Sequence, residues 1–354
     1  MSQHIKFLCL EGDGIGPEIM ASCLQVLDAV RPLLAKEVKV KKMDIGFAAL
    51  AKTGSTIPDE VINAAKNSDG VLLGPVSHND YPAVEEGGLN PSGVLRKELS
   101  LYANIRPARR WAGCEAPIDK DIDLVVMREN LEGFYADRNM HQGNGEFMPV
   151  PDVALSMRRI TKQASLDIAK AAFAWADKRP SKKVTAIHKA NVMRLSDGLF
   201  LEAVREVANS YSHISYDEML VDAAAAHLVR APEKFDVLVT TNMFGDILSD
   251  LASEISGSLG LAGSLNAGSH YAAAQAQHGS APDIAGQDKA NPVSLILSLS
   301  MLLSHFGEEV AANKIEQMIA QMLSSPQSRT ADCGGVLSCS EFTRQLITHL
   351  SSSL

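Results

Sequence analysis

Apolar and polar positions along the chain follow two patterns in turn, one typical of buried strands and one typical of helices. Short continuous apolar runs predict strands at residues 5–10, 69–73, 124–127, 184–187 and 237–240. Longer stretches with apolar residues three or four positions apart predict helices at 18–34, 163–178, 196–209, 294–306 and 308–323. Because strands alternate with helices, the pattern predicts an α/β fold.

One stretch, 256–279, is rich in Gly, Ser and Ala, which is a composition typical of flexible linkers. It also carries apolar positions at regular intervals, namely Leu259, Leu261 and Leu265. We therefore interpret it as a tightly packed helix end and loop, and not as a domain boundary.

Composition narrows the class of protein. With 354 residues, 46% of them apolar, the chain is long enough for two domains. The net charge of -9 lacks the basic footprint of a non-specific nucleic-acid binder, and no apolar run approaches the ~20 residues of a membrane span. The five cysteines include no C-x-x-C pair, which is typical of structural thiols in a reducing compartment. We expect a cytoplasmic protein without nucleic-acid or membrane partners.

A glycine-rich segment, GDGIGPE at 12–18, follows the first predicted strand and precedes the first predicted helix. Glycines there let the backbone turn sharply and approach a ligand closely. The spacing differs from the G-x-G-x-x-G of a dinucleotide-binding Rossmann fold, so that fold is not predicted. Taken alone, the segment is as consistent with an ordinary strand-to-helix turn as it is with a ligand-binding loop.

Three arginines stand near predicted strand and helix ends: Arg96, Arg106 and Arg128. A guanidinium group offers a planar fork that holds a carboxylate through two hydrogen bonds. Each arginine alone is more often a surface ion-pair partner, but three together suit a dicarboxylate. Two further residues are candidates for acid–base work, Tyr135 through its phenol and Lys189 at a predicted strand end. Alone, each would be interpreted as a solvated surface group.

The acidic residues favour a functional site over the interpretation of these residues as solvated surface groups. Asp246 and Asp250 are four positions apart in a predicted helical segment, so both carboxylates lie on one helix face, and Asp222 follows an apolar run. Like charges repel, so a bound cation is an economical explanation, although a solvated acidic face is an alternative. Oxygen ligands favour Mg²⁺ or Mn²⁺ over zinc. Glycine and apolar neighbours predict that the segment is buried.

A second small-residue segment, at 278–286, combines polar contacts with room for a flat ligand. His278, Asp283 and Asn291 offer the polar groups. An acidic residue facing a ribose diol accepts hydrogen bonds from its hydroxyl groups and repels a 2′-phosphate. If Asp283 has that position, the cofactor is NAD and not NADP.

Taken in order, these segments resemble the β-decarboxylating dehydrogenase family of isocitrate, homoisocitrate, 3-isopropylmalate and tartrate/D-malate dehydrogenases. The resemblance starts at GDGIGPE and covers nearly the whole chain. It is carried further by RKELSLYANIRP at 96–107, MRENLEGFY at 127–135, HKANVMRLSDGLF at 188–200, NMFGDILSD at 242–250 and HGSAPDIAG at 278–286.

The resemblance implies roles for the matching residues. Lys189 would remove the substrate hydroxyl proton through water, and Tyr135 would protonate the enol carbon after CO₂ leaves. The residues implied in substrate binding are Arg96, Arg106, Arg128, Asn90 and Ser92. The metal ligands would be Asp222, Asp246 and Asp250, one of them supplied across a dimer interface. The residues implied in binding NAD are Ile15, Asn191, His278, Gly279, Ser280, Ala281, Asp283 and Asn291.

The resemblance also implies a doubly wound, two-domain α/β fold of the isocitrate/isopropylmalate dehydrogenase type, which is not a Rossmann fold. Residues 1–101 and 254–354 would form a large, discontinuous, cofactor-side domain. Residues 102–253 would form a smaller domain for dimerisation, substrate and metal. The partners expected are a small hydroxy-acid substrate and a second copy of the chain, in a homodimer or larger assembly.

The sequence departs from the family pattern in two places, and the first of them leaves the substrate open. Ser92 and Gly93 stand where isopropylmalate enzymes carry leucines, and Leu89 stands where those enzymes carry an acidic residue. The second departure lies beside the cofactor loop: Gln275 replaces the glutamate that family members commonly carry three residues before His278, which changes the nicotinamide end of the expected cofactor site. The alternatives are a tartrate or D-malate dehydrogenase, for whose small substrates Ser92 and Gly93 leave room, and a non-catalytic regulatory subunit of a hetero-oligomer.

Overall fold

The computed structural model describes residues 4–352. The helices are α1 (Gly16–Val30), α2 (Gly46–Thr53), α3 (Asp59–Lys66), α4 (Pro91–Glu98), α5 (Ala136–Asn139), α6 (Lys162–Asp177), α7 (Ser196–Ala208), α8 (Val221–Arg230), α9 (Asn242–Ser256), α10 (Val293–His305), α11 (Glu309–Leu323) and α12 (Cys339–Ser351). The strands are β1 (His4–Leu10), β2 (Glu37–Met43), β3 (Gly70–Leu73), β4 (Ala103–Arg109), β5 (Asp123–Glu129), β6 (Glu146–Val150), β7 (Val153–Ser156), β8 (Lys183–His188), β9 (Ser215–Leu220), β10 (Val237–Thr240), β11 (Leu265–Ala267) and β12 (Ala272–Gln275).

The chain divides into two compact units, each built from separate stretches of sequence. Unit 1 comprises Met1–Leu99, Trp111–Ala116 and Gly257–Leu354, and unit 2 comprises Ser100–Arg110 and Pro117–Ser256. The roles predicted for two domains, one on the cofactor side and one for dimerisation, substrate and metal, stay predictions.

Unit 1 contains five strands in the order β2-β1-β3-β12-β11. The pairs from β2 to β12 are parallel, and β11 runs antiparallel to β12. Helix α10 is buried along the whole of residues 293–303. A helix that is apolar on all sides belongs inside a core, and α10 packs against α1, α11 and β12. The carboxyl ends of β1 and β12 lead into the loops of the candidate site.

Unit 2 contains five strands in the order β4-β5-β10-β8-β9. Only the β4–β5 pair is antiparallel, and the other three pairs are parallel. Leu124 and Val126 of β5 pack with α8 and α9 in one apolar cluster. Successive strand residues point to opposite faces, so Val125 and Met127, which are also buried, face the other side. Burial on both faces explains the continuous apolar run of β5.

A small hairpin in unit 2 differs from the rest because its strands carry no buried residue. β6 and β7 pair only with each other, in antiparallel orientation, and every residue of both strands is exposed. The exposed side chains include Phe147, Met148, Val150, Val153 and Leu155. An isolated two-stranded hairpin is marginally stable in water, and this one leaves its apolar side chains exposed.

The predicted strands are all present, as β1, β3, β5, β8 and β10, and the predicted helices correspond to α1, α6, α7, α10 and α11. Three expectations are wrong in detail. α1 ends at Val30, and a single 3₁₀ turn follows at Arg31–Leu33. The stretch 256–279 is not only a helix end and loop, because it contains β11 and β12. The expectation that it holds no domain boundary is also wrong, since the division between the two units falls between Ser256 and Gly257. Among residues 4–352, no helix is long and apolar enough to cross a membrane.

Candidate active site

Two arginines of unit 2 lie on one face of the β4–β5 ribbon. Arg128 of β5 stands opposite Asn104 of β4, and Arg106 is two residues from Asn104. Residues two apart on a strand share a face, so the antiparallel register brings both guanidinium groups to the same side. Both side chains are buried. A buried pair of like charges needs anions nearby.

Helix α9 supplies those anions. Nη1 of Arg106 donates to Oδ1 of Asp250 at 2.8 Å and to Oγ of Ser249 at 2.8 Å. Nη1 of Arg128 donates to Oδ1 of Asp246. The two carboxylates lie four residues apart on α9, so the predicted common helix face is confirmed.

Tyr135 completes this cluster. Its hydroxyl group donates to Oδ2 of Asp246 at 2.5 Å and accepts from Nη2 of Arg128 at 3.0 Å. The sequence prediction that α9 is buried here is only half right, because the side chains of Asp246 and Asp250 are 38% and 52% exposed. One edge of the cluster is therefore open to small ligands.

Burial and neighbouring charges shift the pKa values of two residues in this cluster. Burial, together with the positive charge of Arg128, lowers the pKa of Arg106. Burial raises the pKa of the Tyr135 hydroxyl above its usual value, while Arg128 opposes the rise. Tyr135 therefore keeps its proton at neutral pH, as a general acid must.

The close approach of α9 to β5 depends on a glycine. A Cβ atom at Gly245 would lie 2.6 Å from the Cβ of Arg128. Behind the arginine, Oδ1 of Asn242 accepts from Nε at 3.0 Å and from Nη2 at 2.7 Å. The guanidinium group is thus held by α9 from two sides, and its free rotation is lost.

A second pair of candidates meets where two neighbouring parallel strands end. Residue 188 of β8 pairs with residue 220 of β9, so Lys189 and Asp222 follow adjacent strand ends. Nζ of Lys189 donates to Oδ1 of Asp222 at 2.6 Å. This hydrogen bond lowers the pKa of Asp222, whose side chain is 66% exposed. The carboxylate is accessible and stays ionised.

A fully buried carboxylate positions the lysine backbone. Oδ2 of Asp197 accepts from the backbone N–H of Lys189 at 2.5 Å. The other oxygen of Asp197 accepts from Nη1 of Arg158, and Nη2 of Arg158 donates to Oγ1 of Thr241 at 2.9 Å. The turn that carries Lys189 is therefore attached to a buried ion pair.

Among residues 4–352 of one chain, no group of three or more His, Cys, Asp or Glu side chains is arranged to hold a metal ion. Asp246 and Asp250 belong to the arginine cluster, whereas Asp222 binds Lys189. Within residues 4–352 of one chain, the three aspartates are therefore not brought together.

In unit 1, the glycine-rich segment packs against the second small-residue loop. The N–H of Ile15 donates to the carbonyl of Ser280 at 2.8 Å, and the hydroxyl groups of Ser280 and Ser77 are 2.7 Å apart. A Cβ atom at Gly14 would lie 2.0 Å from the Ser280 carbonyl oxygen. Gly14 has a φ of +57°, which explains the glycine at this position. The two loops thus share one backbone contact.

The predicted cofactor-binding side chains differ in their surroundings. Nδ1 of His278 is 2.9 Å from the carbonyl of Gly279, while its buried Nε2 has no hydrogen-bond partner within residues 4–352. Burial lowers the pKa of the His278 imidazole. Asp283 is exposed. Asn291 is buried, and its Nδ2 donates to Oδ2 of Asp332 at 2.9 Å. Asn191, in unit 2, is exposed, and Ala281 of unit 1 is half-buried.

The predicted substrate residues of unit 1 lie on or beside α4. Asn90 is the N-cap of this helix, and its side chain accepts from the N–H of Gly93 at 3.3 Å. Oγ of Ser92 donates to Oε1 of Gln275 at 2.9 Å, and Nη2 of Arg96 approaches the same oxygen at 3.5 Å. Gln275, the departure noted in the sequence, therefore contacts two of the predicted substrate residues.

Comparison with known proteins adds the family. The isocitrate/isopropylmalate dehydrogenase family model matches residues 6–346. The chain belongs to this family. It is 40% identical to 3-isopropylmalate dehydrogenase of Archaeoglobus fulgidus over 345 residues, 98% of this chain and 99% of the relative. It is 38% identical to homoisocitrate dehydrogenase of Methanocaldococcus jannaschii over 359 residues, 99% of both chains.

A solved structure agrees with this assignment. Isocitrate dehydrogenase from Methylococcus capsulatus superimposes with a TM-score of 0.88 at 36% identity, over 98% of this chain and 99% of that one. The predicted isocitrate/isopropylmalate dehydrogenase fold is confirmed. The chain is a hydroxy-acid dehydrogenase, in a family whose relatives act on different 3-substituted malates, according to their names.

Several residues of this dehydrogenase that support the site are missing from the sequence prediction. Asp13, buried in unit 1, accepts from the N–H of Phe47 at 2.9 Å, from the N–H of Ser77 at 3.0 Å and from the hydroxyl of Tyr81. Asn242 and Asp197 play comparable roles in unit 2. All three lie inside the motifs that carry the family resemblance. Their place in these motifs is the sequence feature that could have pointed to them.

Proposed function

We propose that the enzyme catalyses the NAD-dependent and divalent-metal-dependent oxidative decarboxylation of a 3-substituted (R)-malate. The products are a 2-oxo acid, CO₂ and NADH. The observation that carries the proposal is the cluster of Arg106, Arg128, Tyr135, Asp246 and Asp250, with one open edge.

The charges of the cluster suit such a substrate. Two arginines and two aspartates balance each other in the free enzyme. The two carboxylates of the malate skeleton, taken together with a divalent cation, are also neutral overall. The substrate carboxylates can therefore bind the guanidinium groups of Arg106 and Arg128, while the aspartates bind the cation. Every buried charge then has a partner of opposite charge both before and after the substrate binds. Arg96 of unit 1 has the same proposed role.

The available donor set fits Mg²⁺ or Mn²⁺, because Asp246 and Asp250 offer partly exposed carboxylate oxygens on one helix face. We propose that Asp222 of a second copy completes the set. When bound, the cation supplies Lewis-acid chemistry to the substrate oxygens.

Lys189 and Tyr135 are the proposed acid–base groups. Lys189 takes the substrate hydroxyl proton through water, next to an ionised Asp222. After CO₂ leaves, Tyr135 delivers its proton to the enol carbon. Arg128 donates to the tyrosine oxygen and stabilises the negative charge that develops there as the proton leaves.

The residues of the 278–291 loop fit NAD, which accepts the hydride when bound. The buried Nε2 of His278 has no hydrogen-bond partner in the described chain, so a ligand can satisfy it. The exposed carboxylate of Asp283 suits a ribose diol and repels a 2′-phosphate. The remaining proposed contacts are Ile15, Asn191, Gly279, Ser280, Ala281 and Asn291.

A homodimer or larger assembly is part of the proposal. The β6–β7 hairpin exposes apolar side chains along both strands, and such a surface marks an interaction site. The missing third carboxylate in one chain supports the same conclusion. We also propose a cytoplasmic location, since all five cysteines are free thiols.

A tartrate or D-malate dehydrogenase is the second candidate. It is favoured by the small residues Ser92 and Gly93 on the first turn of α4, which leave room for a substrate without a large third substituent.

The proposal is tested by NADH production from isocitrate, homoisocitrate, 3-isopropylmalate, D-malate and tartrate, with Mg²⁺, Mn²⁺ or EDTA. NADP is run in parallel, and Lys189→Ala is the inactive control. We expect metal-dependent turnover of at least one compound with NAD, and its loss in Lys189→Ala. Folded wild-type protein without turnover on any compound would contradict the proposal and favour a regulatory subunit.

A further inference from the structure

Gln275 joins two residues of α4 at the end of β12. Ser92 and Arg96 are four positions apart on α4 and therefore lie on one face of that helix. Both approach one atom, Oε1 of Gln275, at 2.9 Å from Ser92 Oγ and 3.5 Å from Arg96 Nη2. All three residues belong to unit 1. The glutamine thus sits beside two residues proposed to contact the substrate.

The chemistry of these partners fixes the orientation of the amide. Arginine only donates hydrogen bonds, so the group facing Arg96 has to be the carbonyl oxygen and not the NH₂ group. The Ser92 hydroxyl then donates to the same oxygen. Nε2 of Gln275 is left with two N–H donors, and it makes no hydrogen bond within residues 4–352.

The backbone of Gln275 holds this amide in place. Its N–H donates to the carbonyl of Ser264 at 3.1 Å, and its carbonyl accepts from Oγ of Ser298 at 2.9 Å. Gln275 also pairs with Leu73 of β3. A half-buried side chain on a fixed strand end presents its donors in a defined direction.

The neutral amide changes what this part of the site can bind. A carboxylate at position 275 would form an ion pair with Arg96, whereas the neutral amide adds no negative charge beside the guanidinium group. The Ser92 hydroxyl donates its hydrogen bond to Gln275, so toward a ligand its oxygen can only accept. An alkyl group against Nε2 would leave buried donors without a partner, which is strongly unfavourable. An anionic acceptor would satisfy them.

We propose that Gln275 is a specificity-determining residue, which selects a substrate whose third substituent ends in a carboxylate over one whose substituent is an alkyl group. This inference rests on the proposed function and names the substrate class of the same site. Nε2 of Gln275 donates to the substituent carboxylate, and Oε1 keeps Ser92 and Arg96 in position.

The test compares kcat/KM for isocitrate, homoisocitrate and 3-isopropylmalate in wild type, Gln275→Met and Gln275→Glu. Methionine has a similar length without the N–H donors, and glutamate adds a negative charge. We expect wild type to prefer the two carboxylate-terminated substrates. Gln275→Met should lower kcat/KM on these by about 10- to 100-fold, mainly through KM, and leave 3-isopropylmalate unchanged or improved. Gln275→Glu should lower them further.

The matched control is Gln163→Met, since Gln163 is an exposed glutamine of α6 whose Nε2 bonds Asp167. It should leave all three kcat/KM values unchanged. A uniform loss on all substrates in Gln275→Met would overturn the inference, because the residue would then only position Ser92 and Arg96. A wild-type preference for 3-isopropylmalate would overturn it as well, while the proposed function would stand.

Absence of NADH from every compound is a different outcome, since it contradicts the proposed function. The inference is then tested by titration calorimetry with the same compounds and Mg²⁺. Tighter binding of isocitrate to wild type than to Gln275→Met would support the role of the amide. Equal affinity would overturn it.

Discussion

Gly245 of α9 lies against Arg128 of β5 so closely that a Cβ atom at position 245 would be 2.6 Å from the Cβ and Cγ atoms of the arginine. We therefore predict that Gly245→Ala pushes α9 away from β5. Overpacking of this kind costs about 1–3 kcal/mol of unfolding free energy. Because Arg128 also binds Asp246 and Tyr135, we expect kcat/KM to fall at least tenfold. Chemical denaturation and steady-state kinetics measure the two effects.

Gly198 of α7 is the matched control, since a Cβ atom there would meet nothing within 4 Å. Alanine is a better helix former than glycine, so Gly198→Ala should be neutral or stabilising by up to about 1 kcal/mol. If both variants keep full activity and stability, the contact between position 245 and Arg128 does not constrain the site.

The proposed shared active site predicts that two inactive variants regain activity when their subunits are mixed. Asp222→Asn alters the partner of Lys189, and Tyr135→Phe removes the proton donor that bonds Asp246. If a site takes Asp222 from one subunit and Tyr135 from the other, a mixed dimer has one intact site. After denaturation and refolding of an equimolar mixture, we expect about a quarter of wild-type activity, from half the dimers with one working site each.

The control mixes two variants whose substituted residues lie in the same cluster, Tyr135→Phe and Asp246→Asn. No mixed dimer then has an intact site, and the mixture should stay inactive. Equal recovery in both mixtures, or none in either, would argue against a site completed by a second copy.

The sequence is sufficient to predict those elements whose apolar pattern is strong. β5 is buried on both faces and reads as one continuous apolar run. By contrast, β11 (LNA) has only three residues and β12 (AAAQ) is mostly alanine. β12 pairs with β3 and β11 pairs with β12, so their pairing does not follow from their own composition. β9 (SYDEML) is a charged edge strand without a hydrophobic period. Short strands of these two kinds are stabilised by neighbours that a local pattern does not contain.

The candidate site shows the same division. The motifs identify Arg106, Arg128, Asp246 and Asp250, but their pairing follows from the antiparallel register and from the packing of α9. The contact of Gln275 with Ser92 joins residues 183 positions apart. A hydrogen bond between residues so far apart in sequence leaves no signal in the local pattern. The sequence alone therefore does not predict that Gln275 contacts Ser92.

The exposed surface of the β6–β7 hairpin predicts which substitutions should dissociate the proposed dimer. Phe147 and Leu155 are cross-strand neighbours in the β6–β7 pair, and both are exposed. Placing charges there, in Phe147→Asp/Leu155→Asp, should convert the proposed dimer to monomers because a charge buried in an apolar interface is costly. Light scattering measures the mass, and activity should fall with it. Val310→Asp, a single exposed valine of α11 in unit 1, should leave the mass unchanged.

A buried carboxylate in unit 2 predicts a pH-dependent stability. Burial raises the pKa of Glu129 from 4.5 to about 7, although the N–H groups of Leu131 and Glu132 donate to its oxygens and oppose the rise. The folded state therefore binds this proton more tightly than the unfolded state. The resulting stabilisation is complete below pH 4.5 and is lost as the pH rises through 7, by roughly 3 kcal/mol from this group.

Other groups titrate in the same range, so the measurement is a difference between two proteins. We expect the unfolding free energy of wild type, minus that of Glu129→Gln, to decrease steadily between pH 5 and pH 8, because glutamine is neutral throughout. Urea denaturation at each pH provides these values. Glu233→Gln, at an exposed position, should give a difference that does not vary with pH. A flat difference for Glu129→Gln as well would mean that its carboxylate stays ionised in the folded protein over the whole range, with its two backbone hydrogen bonds outweighing burial.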